Sequence, residues 1–420
     1  MKLLLVLLVA TTIFFNEVAF AQEFVTNYDE ALVPLYKLPI LLQFNNGEPV
    51  LSIDDWSKQR NALILDFEKQ MYGTVLQHSI DMQVVEIVEH NNALDGLALQ
   101  KQISLQLKQN DQSIILNILM LLPKTNNKVP VFLGYNFYGN QTTTSDTSIF
   151  ITNNWVMNNP NLGITNNKAG SVSRGKLAYR WPFYEAIQRG YGMVTLYYGD
   201  VDPDFNDGFK NGIHALFSNE RDSASWGSIA AWAMGLSLVM DYLEDDVNVD
   251  ANKVAVFGHS RLGKAALWAG ALDQRFAMVI SNSSGCGGAA ISRRQYGETL
   301  ARINTRFPHW FADNFKKYNN NENALPFDQH QLLALIAPRP LYVASAVDDR
   351  WADPKGEFLS AVAASEVYRL YGLHGLPVTE MPNVHNPSMG TIAYHIREGK
   401  HDILWYDWQQ YLNFADMHFR

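Results

Sequence analysis

A serine at the junction of a predicted strand and a predicted helix is the first candidate for chemistry in this chain. In "VAVFGHSRLGKAALWAGA" (254–271), Gly258 precedes Ser260 by two residues, as in the Gly-x-Ser-x-Gly nucleophile elbow, but the second glycine, Gly263, comes one residue late. An apolar strand that ends in Gly-x-Ser before a helix favours a nucleophile over a serine that only caps the helix. We therefore predict that Ser260 is a nucleophile.

A nucleophilic hydroxyl needs a histidine base, and the histidine needs an acid that orients it. At such elbows the three follow in the order serine, acid, histidine. His401, in "REGKHDILWYDW", lies between the last predicted strand and the C-terminal helix, where the base belongs. We predict His401 as the base; a histidine that merely begins the helix is the alternative. Five other histidines lie in an insertion, in loops or within the last strand: His309, His330, His374, His385 and His395.

The acid should follow the apolar strand "RPLYVASA" (339–346), and the next residues, "VDDRWADP", contain three aspartates. Asp348, Asp349 and Asp353 are therefore the candidates, and a solvated acidic turn is the alternative. Because Asp353 precedes a proline, we expect it to serve the turn itself.

Attack on an ester also requires donors for the developing oxyanion. The backbone N–H and the guanidinium of Arg261 follow the nucleophile directly, and the loop "YNFYGN" (135–140) offers a second contribution. The sequence contains no metal-ligand spacing and no phosphate-binding glycine loop, so we predict neither a metal nor another cofactor.

The elements that must position these residues alternate between apolar strands and helices after about residue 129. This alternation predicts an α/β-hydrolase fold: a three-layer sandwich around a mostly parallel sheet. Before it, residues 22–80 form an N-terminal extension with one helix, capped by Asp54 or Asp55 and ended by Gly73, and three strand-like runs follow over 82–122. No linker divides the chain, so we predict one catalytic domain over 22–420.

Composition limits the classes of partner. The 420 residues carry a net charge of −9 without a basic run, which argues against nucleic acid and anionic membranes. Residues 1–21 combine Lys2, an apolar run and a small-x-small site before Gln22, which predicts a cleaved signal peptide and a secreted or periplasmic, soluble protein. The single cysteine, Cys286, excludes an intramolecular disulfide, and we expect it to pack as a small apolar residue. We also expect a monomer.

With these residues in hand, the chain resembles the glucuronoyl esterases of carbohydrate esterase family 15, in particular the bacterial branch. The family elbow reads Gly-Cys-Ser-Arg-x-Gly-Lys, and "GHSRLGK" matches it except for His259 at the cysteine position. Further similar segments are "SGCGGAAISRRQYGE", "FPHWF", "DQHQLLALIAPRPLYVASAVDDRWADP" and "GTIAYHIREGKHDILWYDW". The late glycine is thus the family's own form of the elbow.

The resemblance implies an activity and a set of roles. The activity is hydrolysis of esters between 4-O-methyl-glucuronoyl side groups of xylan and lignin alcohols. The implied substrate contacts are Lys264, Glu298, Trp351 and either Gln329 or His330. The alternatives are a surface carboxylate for Glu298, a rim aromatic for Trp351 and a solvated helix lysine for Lys264.

One departure from the family pattern concerns the acid. Fungal members carry it as the Glu of Glu-Ser-Gly-x-Gly-Gly, and the aligned stretch here, "SSGCGG", has Ser283 at that position. A serine carries no negative charge to stabilise an imidazolium, so the acid must come from elsewhere. Alignment on Trp351 places it two residues earlier, at Asp349.

Two other functions remain open from the sequence. An acetyl-xylan esterase or a broad carboxylesterase would use the same serine, histidine and acid and differ only in the sugar contacts. A non-catalytic carbohydrate-binding protein on a hydrolase scaffold is a further alternative, and the retained Ser260 and His401 weigh against it.

Overall fold

The computed structural model describes residues 26–75, 80–217 and 220–420, so the predicted signal peptide lies outside the described residues. These residues contain one ten-stranded sheet in the order β1-β2-β3-β5-β4-β6-β7-β8-β10-β9. The strands are β1 (Asp81–Asn92), β2 (Ala98–Gln109), β3 (Gln112–Pro123), β4 (Val129–Asn136), β5 (Gly192–Tyr197), β6 (Val249–His259), β7 (Met278–Asn282), β8 (Leu341–Ala346), β9 (Ser388–Met389) and β10 (Ile392–Arg397).

The sheet has an antiparallel part and a parallel part. Strands β1 to β3 pair as an antiparallel meander, and β3 joins β5 antiparallel. From β5 through β4, β6, β7 and β8 to β10 every pairing is parallel. These inner strands are buried along almost their whole length, as their continuous apolar runs predict for strands covered on both faces. The predicted α/β-hydrolase architecture is confirmed.

Helices cover both faces of the sheet. They are α1 (Ile53–Phe67), α2 (Ala93–Gly96), α3 (Phe183–Gln188), α4 (Tyr198–Val201), α5 (Ser228–Asp245), α6 (Arg261–Leu272), α7 (Leu300–Arg306), α8 (Gln329–Ala334), α9 (Pro354–Leu370) and α10 (Trp405–Phe419). One core cluster packs α1, α5, α6, α8 and α9 against one face, and a second packs α3 and α10 against the other. Successive side chains of β6 point to opposite faces of the sheet, so Val256 belongs to the first core cluster and Phe257 to the second.

The N-terminal extension packs on the first of these faces through its helix. The predicted helix is confirmed, but its cap was wrong: Ser52 accepts the backbone N–H of Asp55 at 3.1 Å, while Asp55 accepts the Ser52 hydroxyl at 2.8 Å. A serine one residue before the helix has the extended backbone that an N-cap requires. The chain leaves at Gly73, where φ is +90° and a Cβ atom would lie 2.2 Å from the Trp226 Cα. Only glycine fits this close approach.

The parallel register determines where the predicted catalytic loops emerge. Ala346, the last residue of β8, lies opposite Arg397, the last residue of β10. Beyond these ends the two loops stay paired, because Val347 N donates to Arg397 O at 2.9 Å and Asp348 N donates to Gly399 O at 3.0 Å. The acidic turn and the histidine loop therefore leave the sheet side by side, at the carboxyl edge where parallel sheets bind ligands.

Candidate active site

Ser260 occupies a sharp turn between β6 and α6. Its φ of 60° and ψ of −130° are unusual for a residue with a side chain, and its backbone N–H donates to Asn282 O at 2.9 Å. A Cβ atom on Gly258 would lie 2.0 Å from Leu262 O, and one on Gly263 would lie 3.0 Å from Gly258 O. The close approach of strand and helix thus requires small residues at 258 and 263, and it accounts for the late glycine. The serine itself is half-buried.

His401 and Asp349 face each other across the two neighbouring loops. His401 Nδ1 lies 2.5 Å from Asp349 Oδ2; the histidine side chain is 41% exposed and the aspartate side chain 3%. An ionised carboxylate only accepts hydrogen bonds, so Nδ1 carries the proton and Nε2 is left with a lone pair. The His401 ring also packs against the ring of His259, with 4.4 Å between centroids and 40° between the ring planes, which holds it beside the elbow.

The other two aspartates of the acidic turn have different surroundings. Asp353 accepts the backbone N–H of Gly356 at 3.0 Å, which caps α9, and it pairs with Arg294 Nε at 2.8 Å. Its role in the turn is therefore as predicted. Asp348 is exposed to solvent. Of the three carboxylates, the structure places Asp349 against the histidine.

Arg261 is held by one carboxylate and three aromatic rings. Its Nη1 donates to Asp204, and its guanidinium carbon lies 4.8 Å from the Trp310 ring, 5.4 Å from that of Phe307 and 5.9 Å from that of Phe137. Phe137 belongs to the loop predicted to contribute to the oxyanion site, and its ring also contacts His259. The guanidinium therefore has a fixed position next to the nucleophile.

Asp204 follows the carboxyl end of β5, and the sequence analysis did not single it out. It is buried and accepts three further hydrogen bonds: from Trp310 Nε1 at 2.8 Å, from His309 Nε2 at 2.9 Å and from the Tyr198 hydroxyl at 3.0 Å. Burial by itself raises the pKa of Asp204, but the charge of Arg261 and these donors bring the pKa below its ordinary value. Asp204 is thus a permanent anion that orients Arg261.

Replacing this anion should weaken catalysis more than binding. We expect Asp204→Asn to lower kcat about 10²-fold with little change in KM, as for loss of one oxyanion donor. Arg261→Ala should lower kcat at least as much, and the double variant no more than Arg261→Ala alone, because Asp204 acts through Arg261. Steady-state kinetics on a uronate methyl ester measure both effects. Asp313→Asn, on a carboxylate whose side chain is 65% exposed, is the matched control. Additive losses in the double variant would contradict this role.

Lys264, Glu298 and Trp351 come together beside the elbow. Lys264 is 4% exposed, and its Nζ donates to Ser284 O at 2.5 Å. Burial lowers the pKa of Lys264, and the nearby charge of Glu298 counteracts that shift. The backbone N–H of Glu298 donates to Trp351 O at 3.0 Å, which joins the glutamate to the acidic turn. The structure thus brings Lys264 and Glu298, which carry opposite charges, close to Trp351.

Gln329 and His330 have no exposed surface to offer a ligand. Gln329 is 0% exposed and its Nε2 donates to Gly288 O at 2.7 Å, in the glycine loop after β7. His330 is 1% exposed, and its Nε2 lies 3.0 Å from Pro39 O in the N-terminal extension. Both side chains therefore lie in the interior and contact other parts of the protein, and a contact of either with the sugar stays a prediction.

A buried carboxyl group, Glu357, also lies behind the acidic turn. It accepts the Ser345 hydroxyl at 2.6 Å and the Gly285 N–H at 2.9 Å. Burial raises its pKa to about 8, so the group is largely uncharged at neutral pH. Nothing in its sequence context distinguishes it from an exposed glutamate in the first turn of a helix.

Comparisons with known proteins agree with this geometry. A family model described as glucuronyl esterase, fungi, matches residues 183–372. Carbohydrate esterase MZ0003, from an unknown prokaryotic organism, is 47% identical over an alignment of 422 positions that covers 99% of this chain and 97% of that protein.

Two solved structures are similar along almost the whole chain. A promiscuous CE15 esterase from a marine bacterial metagenome is 48% identical with a TM-score of 0.89, covering 94% of this chain and 100% of that one. A glucuronoyl esterase from Solibacter usitatus is 44% identical with a TM-score of 0.86, covering 93% and 100%. Identity at this level over this length, together with the elbow and the histidine–aspartate pair, shows that the chain belongs to carbohydrate esterase family 15.

Proposed function

We propose that this protein is a serine esterase that hydrolyses 4-O-methyl-glucuronoyl esters between xylan side groups and lignin alcohols. The observation that carries the proposal is the His401–Asp349 pair, whose histidine ring packs against His259, the residue that precedes Ser260 at the elbow. Membership of a family whose relatives include glucuronoyl esterases supports a glucuronic acid as the acid part of the ester.

The proposed reaction proceeds through an acyl-enzyme. The Ser260 Oγ attacks the ester carbonyl carbon while His401 Nε2 takes the hydroxyl proton, and Asp349 stabilises the imidazolium that forms. The negative charge on the tetrahedral oxygen meets the backbone N–H and the guanidinium of Arg261. Collapse expels the alcohol, which receives the proton from His401. Water, activated by the same histidine, then releases the uronic acid and restores Ser260.

The proposed sugar contacts are Lys264, Glu298 and Trp351. The buried Lys264 ammonium and Glu298 carboxyl can hydrogen-bond to sugar hydroxyls, and the half-buried Trp351 presents an aromatic edge to the ring. A simple acetate ester has no such hydroxyls, so the polar groups of Lys264 and Glu298 would stay unpaired when it binds. This cost would make the site favour uronate esters.

A kinetic comparison of three esters tests the proposed specificity. We expect kcat/KM to be highest for methyl 4-O-methyl-glucuronate, lower for the galacturonate methyl ester and lowest for acetylated xylan. The second candidate is a broad carboxylesterase, which the similarity to a CE15 esterase described as promiscuous favours. Equal kcat/KM for the glucuronate and the acetyl esters would replace the first proposal with the second.

Removing the Lys264 charge should affect only sugar esters. We expect Lys264→Met, which keeps the length of the side chain, to raise KM for methyl 4-O-methyl-glucuronate about tenfold, because one buried charged hydrogen bond is worth 1.5–3 kcal/mol by order of magnitude. Hydrolysis of a simple acetate ester should change little. Lys253→Met, on the same segment but with a 42% exposed side chain, is the control. An equal loss on both esters would show that Lys264 does not bind the sugar.

We further propose that residues 1–21 are removed during export, that residues 22–420 act as one catalytic domain, and that the protein is a monomer. In the described ranges, no helix combines the length and apolar character needed to cross a membrane. N-terminal sequencing of the exported protein tests the first point, with Gln22 as the expected first residue. Light scattering tests the last.

A further inference from the structure

A cleft of about 910 Å³ opens beside the edge where β5 ends, separate from the residues assigned above. We call it the side cleft. Strand β3, the loop before residue 156 and the segment that follows β5 form its walls. Its lining includes Asn117, Asn154, Trp155, Asp200 and Phe205. The volume lies in the upper part of the range of ligand sites, about 300–1,000 Å³.

One end of the side cleft lies on the same edge of the sheet as Ser260. Strands β5, β4 and β6 are adjacent and parallel, so the ends of β5 and β6 leave the same edge two strands apart. At about 4.8 Å per strand this separation is about 10 Å. The same segment after β5 carries Asp200 and Phe205, which line the cleft, and Asp204, which holds Arg261. The end of the cleft lined by Asp200 and Phe205 is therefore about two strand spacings from the elbow, a distance that neighbouring units of one sugar chain can span.

Two aromatic rings form one wall of the cleft. Trp155 and Phe205 pack at 4.6 Å between centroids with an angle of 45° between their planes, and both are half-buried. The Tyr197 hydroxyl donates to Trp155 O at 2.9 Å, which fixes the backbone of the tryptophan. Aromatic rings that line a cleft and are held in this way can pack against the C–H groups of pyranose rings.

Polar groups opposite these rings are fixed by a buried acid. Asp200 accepts Asn154 Nδ2 at 2.7 Å, and it accepts the backbone N–H and the side-chain amide of Asn117 at 3.1 and 3.3 Å. A side-chain amide has two N–H groups and a carbonyl oxygen, so the exposed Asn154 retains hydrogen-bonding capacity beyond this contact. Amides oriented by a buried acid are suited to hydroxyl groups.

The charge of the cleft excludes an acidic ligand. Its lining residues, all within the described ranges, include Glu86 and Asp200 but no lysine, arginine or histidine. The cations near Ser260 are instead Arg261 and Lys264. An acidic sugar would therefore go to the nucleophile, and a neutral sugar to the side cleft.

We propose that the side cleft binds the neutral sugar chain that carries the esterified uronate, with its pyranose rings against Trp155 and Phe205 and its hydroxyls on Asn154. This inference rests on the proposed function for its catalytic consequence. The binding itself is independent of it, because the cleft contains none of the residues assigned to catalysis.

Titration with a neutral probe tests the binding. The mature wild-type chain and the variants Trp155→Leu and Phe205→Leu are titrated calorimetrically with xylohexaose, which contains neither a uronate nor an ester. We expect each variant to raise Kd about threefold to tenfold, the fold-change that corresponds to one lost aromatic contact. Tyr184→Leu, on an exposed aromatic of α3, should leave Kd unchanged. Thermal melting identifies a variant that fails to fold, and Asn154→Ala, on an exposed side chain, then supplies the comparison.

Kinetics with two esters test the consequence for catalysis. Trp155→Leu should leave kcat/KM for methyl 4-O-methyl-glucuronate unchanged and lower it for the methyl ester of polymeric glucuronoxylan by the factor seen in Kd. Unchanged xylohexaose binding in the variants would overturn the proposal. So would a loss confined to aryl-alcohol esters of the monosaccharide, which would place the alcohol in the cleft. If the wild type cleaves no uronate ester, the proposed function fails, and the titration still decides the occupant of the cleft.

Discussion

Ser260→Ala should lower kcat for the glucuronate methyl ester by about 10⁴-fold or more, leaving only the catalysis that binding and the oxyanion donors supply. In the proposed mechanism, the Ser260 Oγ forms the covalent bond to the ester carbonyl carbon, and the alanine side chain has no atom that could do so. Because Ser260 is half-buried on a turn and not packed in the core, the variant should fold with a melting temperature close to that of the wild type. Initial rates and a thermal melt on the same preparation measure both expectations.

Ser283→Ala is the matched control for this prediction. Ser283 also has a positive φ, at 46°, and its buried Oγ has no hydrogen-bond partner in the structure. Its loss should therefore leave kcat nearly unchanged. A Ser260→Ala variant that keeps a tenth of the wild-type rate would contradict the serine-esterase mechanism.

Asp349→Asn should lower kcat about 10³- to 10⁴-fold, as expected when the acid of such a triad loses its charge. An asparagine amide in place of the carboxylate would donate to His401 Nδ1 and would stabilise the tautomer with the proton on Nε2. That tautomer cannot accept the proton of Ser260. Stopped assays across pH 5 to 9 measure the effect and show whether it follows the protonation of the histidine.

Asp348→Asn provides the control, since this neighbouring carboxylate is exposed to solvent and His401 pairs with Asp349. It should retain most of the wild-type kcat. A collapse of kcat in Asp348→Asn or Asp353→Asn, combined with a wild-type-like Asp349→Asn, would assign the acid to that residue instead.

Much of the fold follows from local patterns in the sequence. The apolar runs of β4, β6 and β8 predict strands buried on both faces, and the structure confirms them in a parallel arrangement. Helix α9 begins at Pro354, at the end of the segment "VDDRWADP" that the sequence pattern predicts only as an acidic turn. Its first turns follow the acidic segment directly, and the Asp353 cap that starts the helix depends on Arg294, which is distant in sequence. Local patterns do not contain such a partner.

Some residues of the candidate site could likewise be predicted from local sequence patterns, and others could not. Ser260, His401 and the acidic turn could be predicted because each follows a recognisable strand in a fixed order along the chain. Asp204 could not, since its importance comes from donors on α4, in the insertion and at the elbow that only the fold brings together. A signal was present nonetheless: "DVDPD" follows β5 at the carboxyl edge, where charged residues are candidates for function. The burial of Gln329 and His330 likewise depends on packing against other segments.

Covalent trapping tests the acyl-enzyme on Ser260 most directly. The mature protein is treated with a reactive alkyl phosphonate ester, and intact mass spectrometry followed by peptide mapping locates the adduct. We expect one equivalent of label on Ser260, loss of esterase activity in proportion to labelling, and protection by methyl 4-O-methyl-glucuronate. Label on another residue, or full hydrolysis of the glucuronate ester by protein that carries the label on Ser260, would contradict the mechanism.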